Sequence, residues 1–339
     1  MKKHSYAQDS KSNLLAWLLE PDDPGIRYFA LRDLLGRRQD DPEVTVARQA
    51  IPASSPVQAI VAAQRPDGGW GERLDSTYWP KYTATVWQMI ILSELGLPGG
   101  HPAIRKGLHR MNAAIEGIGA PTAIEEGEVL WCYSANTIRY LWRFGLGDAP
   151  CTHAATERLV EAALSRPEWR CPHNHNTPCL WGAVKVLRAF AEVPRHEWKS
   201  KVRQVVHKAA EPLLAHDYQA DQVKTQMTEN GWGTDWLKFG FPSFYESDLL
   251  EALDALAAVG YTHDPRVEPL LDLMLRKRDE QGRWQLENSF NGRMHVDIEE
   301  KGKPSKWVTL RAMRVLEKCY HDDENQSDLG TLPSRNRAR

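Results

Sequence analysis

Ala84-Thr-Val-Trp-Gln-Met-Ile-Ile-Leu-Ser-Glu94-Leu95-Gly96, followed by His101-Pro102-Ala103-Ile104, decides the fold. The first part is apolar around most of a helical wheel. Gly96 accepts the left-handed conformation that ends a helix. A polar residue before Pro102 opens the next helix, since proline at the first helical position gives up only a donor that lacks a partner there. The stretch reads as helix, short turn, helix. The phrase recurs as Leu34-Leu35-Gly36 with Asp41-Pro42-Glu43-Val44, and as Ala258-Val259-Gly260 with Asp264-Pro265-Arg266-Val267. A degenerate copy is Phe144-Gly145 with Asp148-Ala149-Pro150. Self-similarity of this kind marks a repeat architecture.

Working outward, two kinds of helix alternate. One kind is apolar around most of its surface: Arg27–Leu35, Ala84–Leu95, Asn136–Phe144, Leu180–Ala191, Leu249–Val259 and Thr309–Lys318. The other carries charge on one face: Asn13–Leu19, Pro56–Gln64, Pro102–Asn112, Ala154–Ser165, Lys201–Ala215 and Arg266–Arg278. A helix apolar all round is buried, and one with an apolar stripe lies at the surface. Six alternations predict an inner ring of helices inside an outer ring, an all-α (α/α)6 toroid. No period-2 run argues for strands.

The turns after the outer helices share a second signature. It is Gln64-Arg-Pro-Asp67-Gly68-Gly69-Trp70-Gly71, then Pro167-Glu168-Trp169, Asn230-Gly231-Trp232-Gly233 and Asp279-Glu-Gln-Gly282-Arg283-Trp284. Glycine makes the tight turn, and tryptophan covers the helix end.

Composition sets the bounds. Of 339 residues, 42% are hydrophobic and 26% charged, which suits a packed domain and not a disordered chain. No 18-residue apolar run predicts a transmembrane helix. The N-terminus lacks the apolar core of a signal peptide. The formal charge of −2 offers no basic footprint for nucleic acid. Five cysteines without a leader read as thiols in a reducing, cytoplasmic setting. Tryptophan (13) outnumbers phenylalanine (7), and tryptophan brings a large apolar face with one N–H to satisfy. The expected organisation is a flexible N-terminus over 1–11, one toroid domain over 12–320 and a disordered tail over 321–339.

These turn motifs resemble those of the terpenoid-cyclase and protein-prenyltransferase superfamily over roughly residues 12–320. Tyr82-Thr-Ala-Thr-Val-Trp87 and Lys303-Pro-Ser-Lys-Trp-Val-Thr-Leu310 are similar to its stand-alone bacterial squalene-cyclase-like members. The resemblance implies an α/α toroid. It implies a reaction only weakly, because a fold does not determine chemistry.

Loops that run from an outer into an inner helix would all lie at one end, and they are rich in aromatic and polar residues. The default reading is a concave aromatic site at that mouth. Tyr28, Tyr78, Trp79, Lys81, Tyr82, Trp131, Cys132, Tyr133, Trp232, Phe241, Tyr245 and Trp307 are its expected substrate-binding residues. The alternative is that the aromatics plug the end. Lys81, Arg293, Lys303 and Lys306 would meet an anionic group, or form a solvated rim.

Glu20-Pro-Asp22-Asp23 resembles the Asp-x-Asp-Asp loop of class II cyclases, whose middle Asp protonates an alkene, with Glu in the first place here. The resemblance makes Asp22 the proton donor beside Asp23, with Tyr28 to orient it; Asp23 also reads as the cap before Pro24. Burial would have to raise such a carboxyl. Asp248, at the end of the fifth mouth loop, is the other acid that the topology offers. Cys171-Pro-His173-Asn-His175-Asn-Thr-Pro-Cys179 is the densest set of soft ligands. Cys171, His173, His175 and Cys179 would hold zinc if a metal is bound, although none is favoured and no cofactor is required. His173 and Cys179 otherwise read as acid–base groups, an analogy with linalool dehydratase-isomerases. Trp131-Cys132-Tyr133-Ser134 resembles the Asp-x-Cys-Tyr-Ser segment of prenyltransferase β-subunits. Leu130 stands where their zinc-binding Asp would be, which argues against protein prenylation.

The expectation is an enzyme acting on a small, hydrophobic, isoprenoid-like molecule by acid–base isomerisation, dehydration or cyclisation, with cation–π support from the walls. A metal-dependent enzyme built on the Cys171–Cys179 loop and a non-catalytic binding toroid are the alternatives.

Overall fold

The computed structural model describes residues 8–118, 130–172, 177–219 and 235–321. Among them run α1 (Gln8–Leu18), α2 (Pro24–Asp33), α3 (Pro42–Ala50), α4 (Ser55–Ala62), α5 (Thr85–Glu94), α6 (Pro102–Ile118) and α7 (Trp131–Arg143). The chain continues with α8 (Pro150–Ser165), α9 (Leu180–Ala191), α10 (Ser200–Leu214), α11 (Leu249–Ala258), α12 (Val267–Leu275) and α13 (Lys306–His321). A two-residue hairpin pairs β1 (Arg170–Cys171) with β2 (Thr177–Pro178). The architecture is all-α, as the patterning predicts. The tail 322–339, residues 1–7, Trp232, His173 and His175 lie outside the described residues.

The repeated turn chemistry is present. Gly96 and Gly260 take φ of 84° and 89°, the left-handed values that let the chain leave α5 and α11 at once. Asp41 opens α3 by accepting the Glu43 N–H at 2.8 Å. The recurring phrase predicts a helix starting there, although it falls outside the twelve alternating helices. It shares one outer position with α4, from which a short 3-10 turn over Ile51–Ala53 divides it, and Pro52 cannot donate within a helix interior.

The tryptophan turns close two repeats in the same way. Trp70 donates its indole N–H to the Ile60 carbonyl at 2.7 Å, and its backbone N–H goes to Thr85 Oγ1 at 3.1 Å. Trp284 donates to the Met274 carbonyl at 2.8 Å and to Thr309 Oγ1 at 3.0 Å. Each tryptophan thus ties the last carbonyls of an outer helix to the first turn of the next inner one. Gln64 donates both to Gly68 O and to Ala103 O, at 2.8 Å each. Trp169 departs from this scheme and reaches forward to the Lys208 carbonyl of α10.

Helices α5, α7, α9, α11, α13 and α2 pack each on the next in that order. A Cβ at Gly25 would lie 2.8 Å from the Leu95 carbonyl, so the start of α2 abuts the end of α5. Most of these helices carry a second partner: α3 on α2, α6 on α5, α8 on α7, α10 on α9 and α12 on α11. Ile104, Leu159, Val205, Leu213 and Met274 on these partner helices are buried. The apolar core lies between the two sets.

The inner helices are not apolar all round. They carry paired charges, spaced so that Cys132, Asn136, Arg139 and Arg143 share one face of α7, as Trp181, Lys185 and Arg188 do on α9. Glu94 pairs with Arg139, Arg143 and Arg188. Glu192 pairs with Arg139 and Arg143, and Glu251 with Lys185 and Arg188. Arg314 and Arg32 share Asp33. Buried ions persist only when partnered, and arginines near helix C-termini are favoured by the helix dipole. Arg32, Arg143 and Arg188 stand in last turns.

Candidate functional site

The first turns of the inner helices and the loops leading into them form the aromatic end. Helix α7 begins at Trp131 and not Asn136, so Trp131, Cys132 and Tyr133 are helical and not in a loop. Helix α13 begins at Lys306, which places Trp307 in its first turn. Phe241 stacks parallel on Trp307 at 4.5 Å, and Trp131 meets Trp169 edge-on at 4.9 Å. The Tyr82 ring lies 4.5 Å from Phe290, 5.5 Å from Phe244 and 5.6 Å from Trp87. Tyr82, Trp131, Phe241, Phe244 and Trp307 are buried, each against another aromatic ring. Tyr78, Tyr133 and Tyr245 are half-buried, and Trp79 is 48% exposed.

Tyr82 and Phe244 hold backbone φ of 69° and 45°. A bulky residue in this region costs roughly 1–3 kcal/mol, and such strain gathers at functional sites. What the strain accompanies is specific. Tyr82 Oη and Tyr245 Oη are 2.7 Å apart. Burial raises both hydroxyls above the usual tyrosine range, which keeps them protonated. Arg293 lies 4.3 Å over the Tyr82 ring, and Lys81 lies 4.9 Å over Tyr245 and 5.6 Å over Trp79. Burial lowers the Lys81 ammonium below the usual lysine range, and Arg293 lowers it further.

On the far side of Phe290, whose ring meets Tyr82, lies a small cleft lined by Asp235, Lys238, Ser243, Glu246, Ser247, Asp248, Asn288 and Phe290. Glu246 is half-buried and accepts Asn288 Nδ2 at 3.3 Å. Burial raises its carboxyl, against Lys185, Arg293 and Lys81. The Ser247 hydroxyl is buried and has no partner among the described residues. Asp248 reaches the same cleft, but both its oxygens are engaged. They accept the Glu251 N–H at 2.7 Å and the Gly240 N–H at 2.8 Å, so Asp248 caps α11. Burial pushes it up to about 6, with Arg311 opposing.

The acids of the first loop stand elsewhere. Asp22 is exposed, without the burial that a proton donor of this kind needs. Asp23 makes no side-chain cap bond to α2; with Glu20 it holds Lys306, at 2.7 and 2.8 Å. Tyr28 pairs its hydroxyl with Gln39. Lys303 is exposed, and Lys306 is committed to those two acids.

Cys171 and Cys179 are buried and hydrogen-bonded to each other at the base of the hairpin, with Cys132 beside Cys171. Burial pushes the Cys132 thiol up to about 12, and the hydrogen bond to Cys171, helped by burial, holds Cys179 well above the usual thiol range. Protonated thiols are poor nucleophiles. Among the described residues no group of three or more His, Cys, Asp or Glu is placed to hold a metal ion. The possible ligands His173 and His175, and the wall residue Trp232, lie outside those residues.

Glu246, Phe290 and Trp181 belong to this end and do not stand out in the sequence. Glu246 stands two residues before a helix cap, where an acid looks like a solvated loop residue. Asn288 from a distant loop reaches it in the folded chain. No family model, curated protein or solved structure matches the chain.

Proposed function

We propose that the chain is an acid–base enzyme that moves a proton on a small, largely apolar molecule in the Glu246 cleft. The carrying observation is Glu246 itself: a half-buried carboxyl raised by burial, lining a cleft next to Phe290, on which the strained Tyr82 packs. Perturbed groups in clefts are candidates for proton transfer, because a useful acid or base titrates near the working pH. Isomerisation and dehydration need only such transfers. Carbocation support by Tyr82 and Tyr245 is less suitable, since Arg293 and Lys81 occupy faces of these rings.

The proposed frame is the (α/α)6 toroid of the terpenoid-cyclase-like architecture. It is supported by the order in which the inner helices pack and by Arg188, which reaches from α9 to Glu94 on α5. The five thiols suit a reducing, cytoplasmic compartment.

The test needs no known product. Unsaturated acids and terpene alcohols are incubated with the protein in D2O, and deuterium incorporation is read by mass spectrometry. Incorporation by the wild type, reduced at least about 100-fold in Glu246→Gln, is expected. Equal incorporation by a stably folded Glu246→Gln overturns the reading.

A further inference from the structure

Three of the five cysteines gather at the hairpin, and two of them touch. The register sets Arg170 opposite Pro178 and Cys171 opposite Thr177. The Cys179 N–H continues the ladder by donating to the Trp169 carbonyl at 2.8 Å. Side chains alternate across a strand, so Cys171 and Cys179 share the face that carries Trp169, as diagonal neighbours. Both are buried thiols. Their hydrogen bond raises Cys179, so Cys179 donates its S–H and the Cys171 sulfur accepts. Trp131 donates its indole N–H to the Arg170 carbonyl at 2.8 Å, which fastens the hairpin to the first turn of α7, where Cys132 lies beside Cys171. Cys132 and Cys171 both lie near Tyr78, so the thiols belong to the aromatic end.

We infer that Cys171 and Cys179 form a site of reversible oxidation, joined by a disulfide when a hydroperoxide reaches the hairpin. A disulfide needs Cα atoms about 4.4–6.8 Å apart and side chains that converge. Hydrogen-bonded sulfurs on one face of one hairpin need little movement to meet that. The Cys171 sulfur attacks the terminal peroxide oxygen. An S–O bond forms, the O–O bond breaks, and the Cys171 proton leaves with the alkoxide as an alcohol. The Cys179 sulfur then attacks the sulfenic sulfur. The S–S bond forms, the S–O bond breaks, and the Cys179 proton leaves with hydroxide as water. The two thiols give up two electrons and the peroxide takes them. Burial sets the character of the pair. Thiols held protonated react slowly. The same burial makes the product durable. A pair becomes strongly oxidising when its reduced form is stabilised, and Cys179 is held well above the range where a thiolate would supply that. Cys132 is the competing partner for Cys171, on a different element, and Cys151 on α8 is exposed. The inference does not depend on Glu246 moving a proton.

The test is peptide mapping of the folded wild type after treatment with hydrogen peroxide. Catalase removes the excess, remaining thiols are blocked with N-ethylmaleimide in denaturant, and the unreduced digest is read by mass spectrometry. The expected product is a peptide pair joined through Cys171 and Cys179, lighter by two hydrogens than its thiol form and reopened by dithiothreitol. It should be about tenfold more abundant than any link to Cys132 or Cys151. The oxidised protein should also unfold at a higher urea concentration than the reduced one, because the link closes a loop of the unfolded chain. Cys179→Ser should abolish that shift. Recovery of both cysteines as maleimide adducts, once Cys151 is fully oxidised, overturns the inference. So does Cys171 joined mainly to Cys132, or either cysteine of the pair converted to sulfinic acid without a link. The wild-type map decides the matter even if Cys179→Ser fails to fold.

Discussion

Lys185 and Glu251 face each other between α9 and α11, with the ammonium 2.7 and 2.8 Å from the two carboxylate oxygens and neither side chain exposed to solvent. Burial pulls Lys185 down to about 8 against the attraction of Glu251, while Lys185 and Arg188 hold Glu251 well below the usual carboxylate range. The pair is therefore ionised at neutral pH.

Its two halves are unequal. Without Lys185, Glu251 keeps Arg188 and the field of Arg311. Without Glu251, Lys185, Arg188 and Arg311 confront one another. Glu251→Gln is expected to cost about 3–5 kcal/mol, as for a buried pair broken on one side, and Lys185→Met distinctly less. Urea unfolding curves of the two variants check the order, and equal losses would contradict it.

Asp248 gives a pH signature. Its folded value of about 6 lies above that of an exposed carboxyl. Its contribution to stability is therefore complete below about pH 4 and is lost as pH rises through 6. Asp248→Asn keeps a capping side chain and removes the titration. The stability of Asp248→Asn relative to wild type should rise by about 2 kcal/mol between pH 4 and 6.5, and level off above about pH 7. Chemical denaturation across that range measures it, and a flat difference would show that Asp248 does not titrate there.

Glu192 acts in the opposite sense. Arg143 and Arg139 hold its carboxyl down at about 2 against burial. The stability it supplies is present above about pH 4.5 and lost as pH falls through 2. Glu192→Gln should flatten the acid limb of the stability profile below pH 4.5, and an unchanged limb would count against the pairing.

The two tryptophan turns should behave alike. Trp70→Phe and Trp284→Phe keep most of each ring and strand the Ile60 or Met274 carbonyl. Each should lose about 1–3 kcal/mol, read as a lowered urea midpoint. A loss at one site only would mean that the two repeats are not equivalent.

Asp22 and Glu246 separate the two candidate acids. Asp22→Asn, at an exposed loop position, should leave stability within about 0.5 kcal/mol and deuterium incorporation unchanged. Incorporation abolished by Asp22→Asn would return the proton donor to the first loop.

Much of the frame was legible in the residues. Gly96 and Gly260 ending helices, Asp41 opening one, and Trp70 and Trp284 closing turns are local devices, governed by backbone conformation and near neighbours, so their signals lie in short stretches of chain. The alternation of apolar and striped helices announced an all-α chain for the same reason. The site was legible only in part. Tyr82, Lys81 and Tyr245 were named from their loops, and they meet. Asp22 was named by resemblance and stands exposed. Glu246 was missed. The charges of the inner helices were visible as letters, but a wheel cannot show that Arg188 on α9 finds Glu94 on α5 and Glu251 on α11. Sequence by itself determined where helices start, stop and bury a face, because those depend on neighbours within a turn or two. Tertiary structure alone decided which carboxyl loses its water and which cation loses its counterion, because desolvation and Coulomb energy depend on distances in space between residues far apart in the chain.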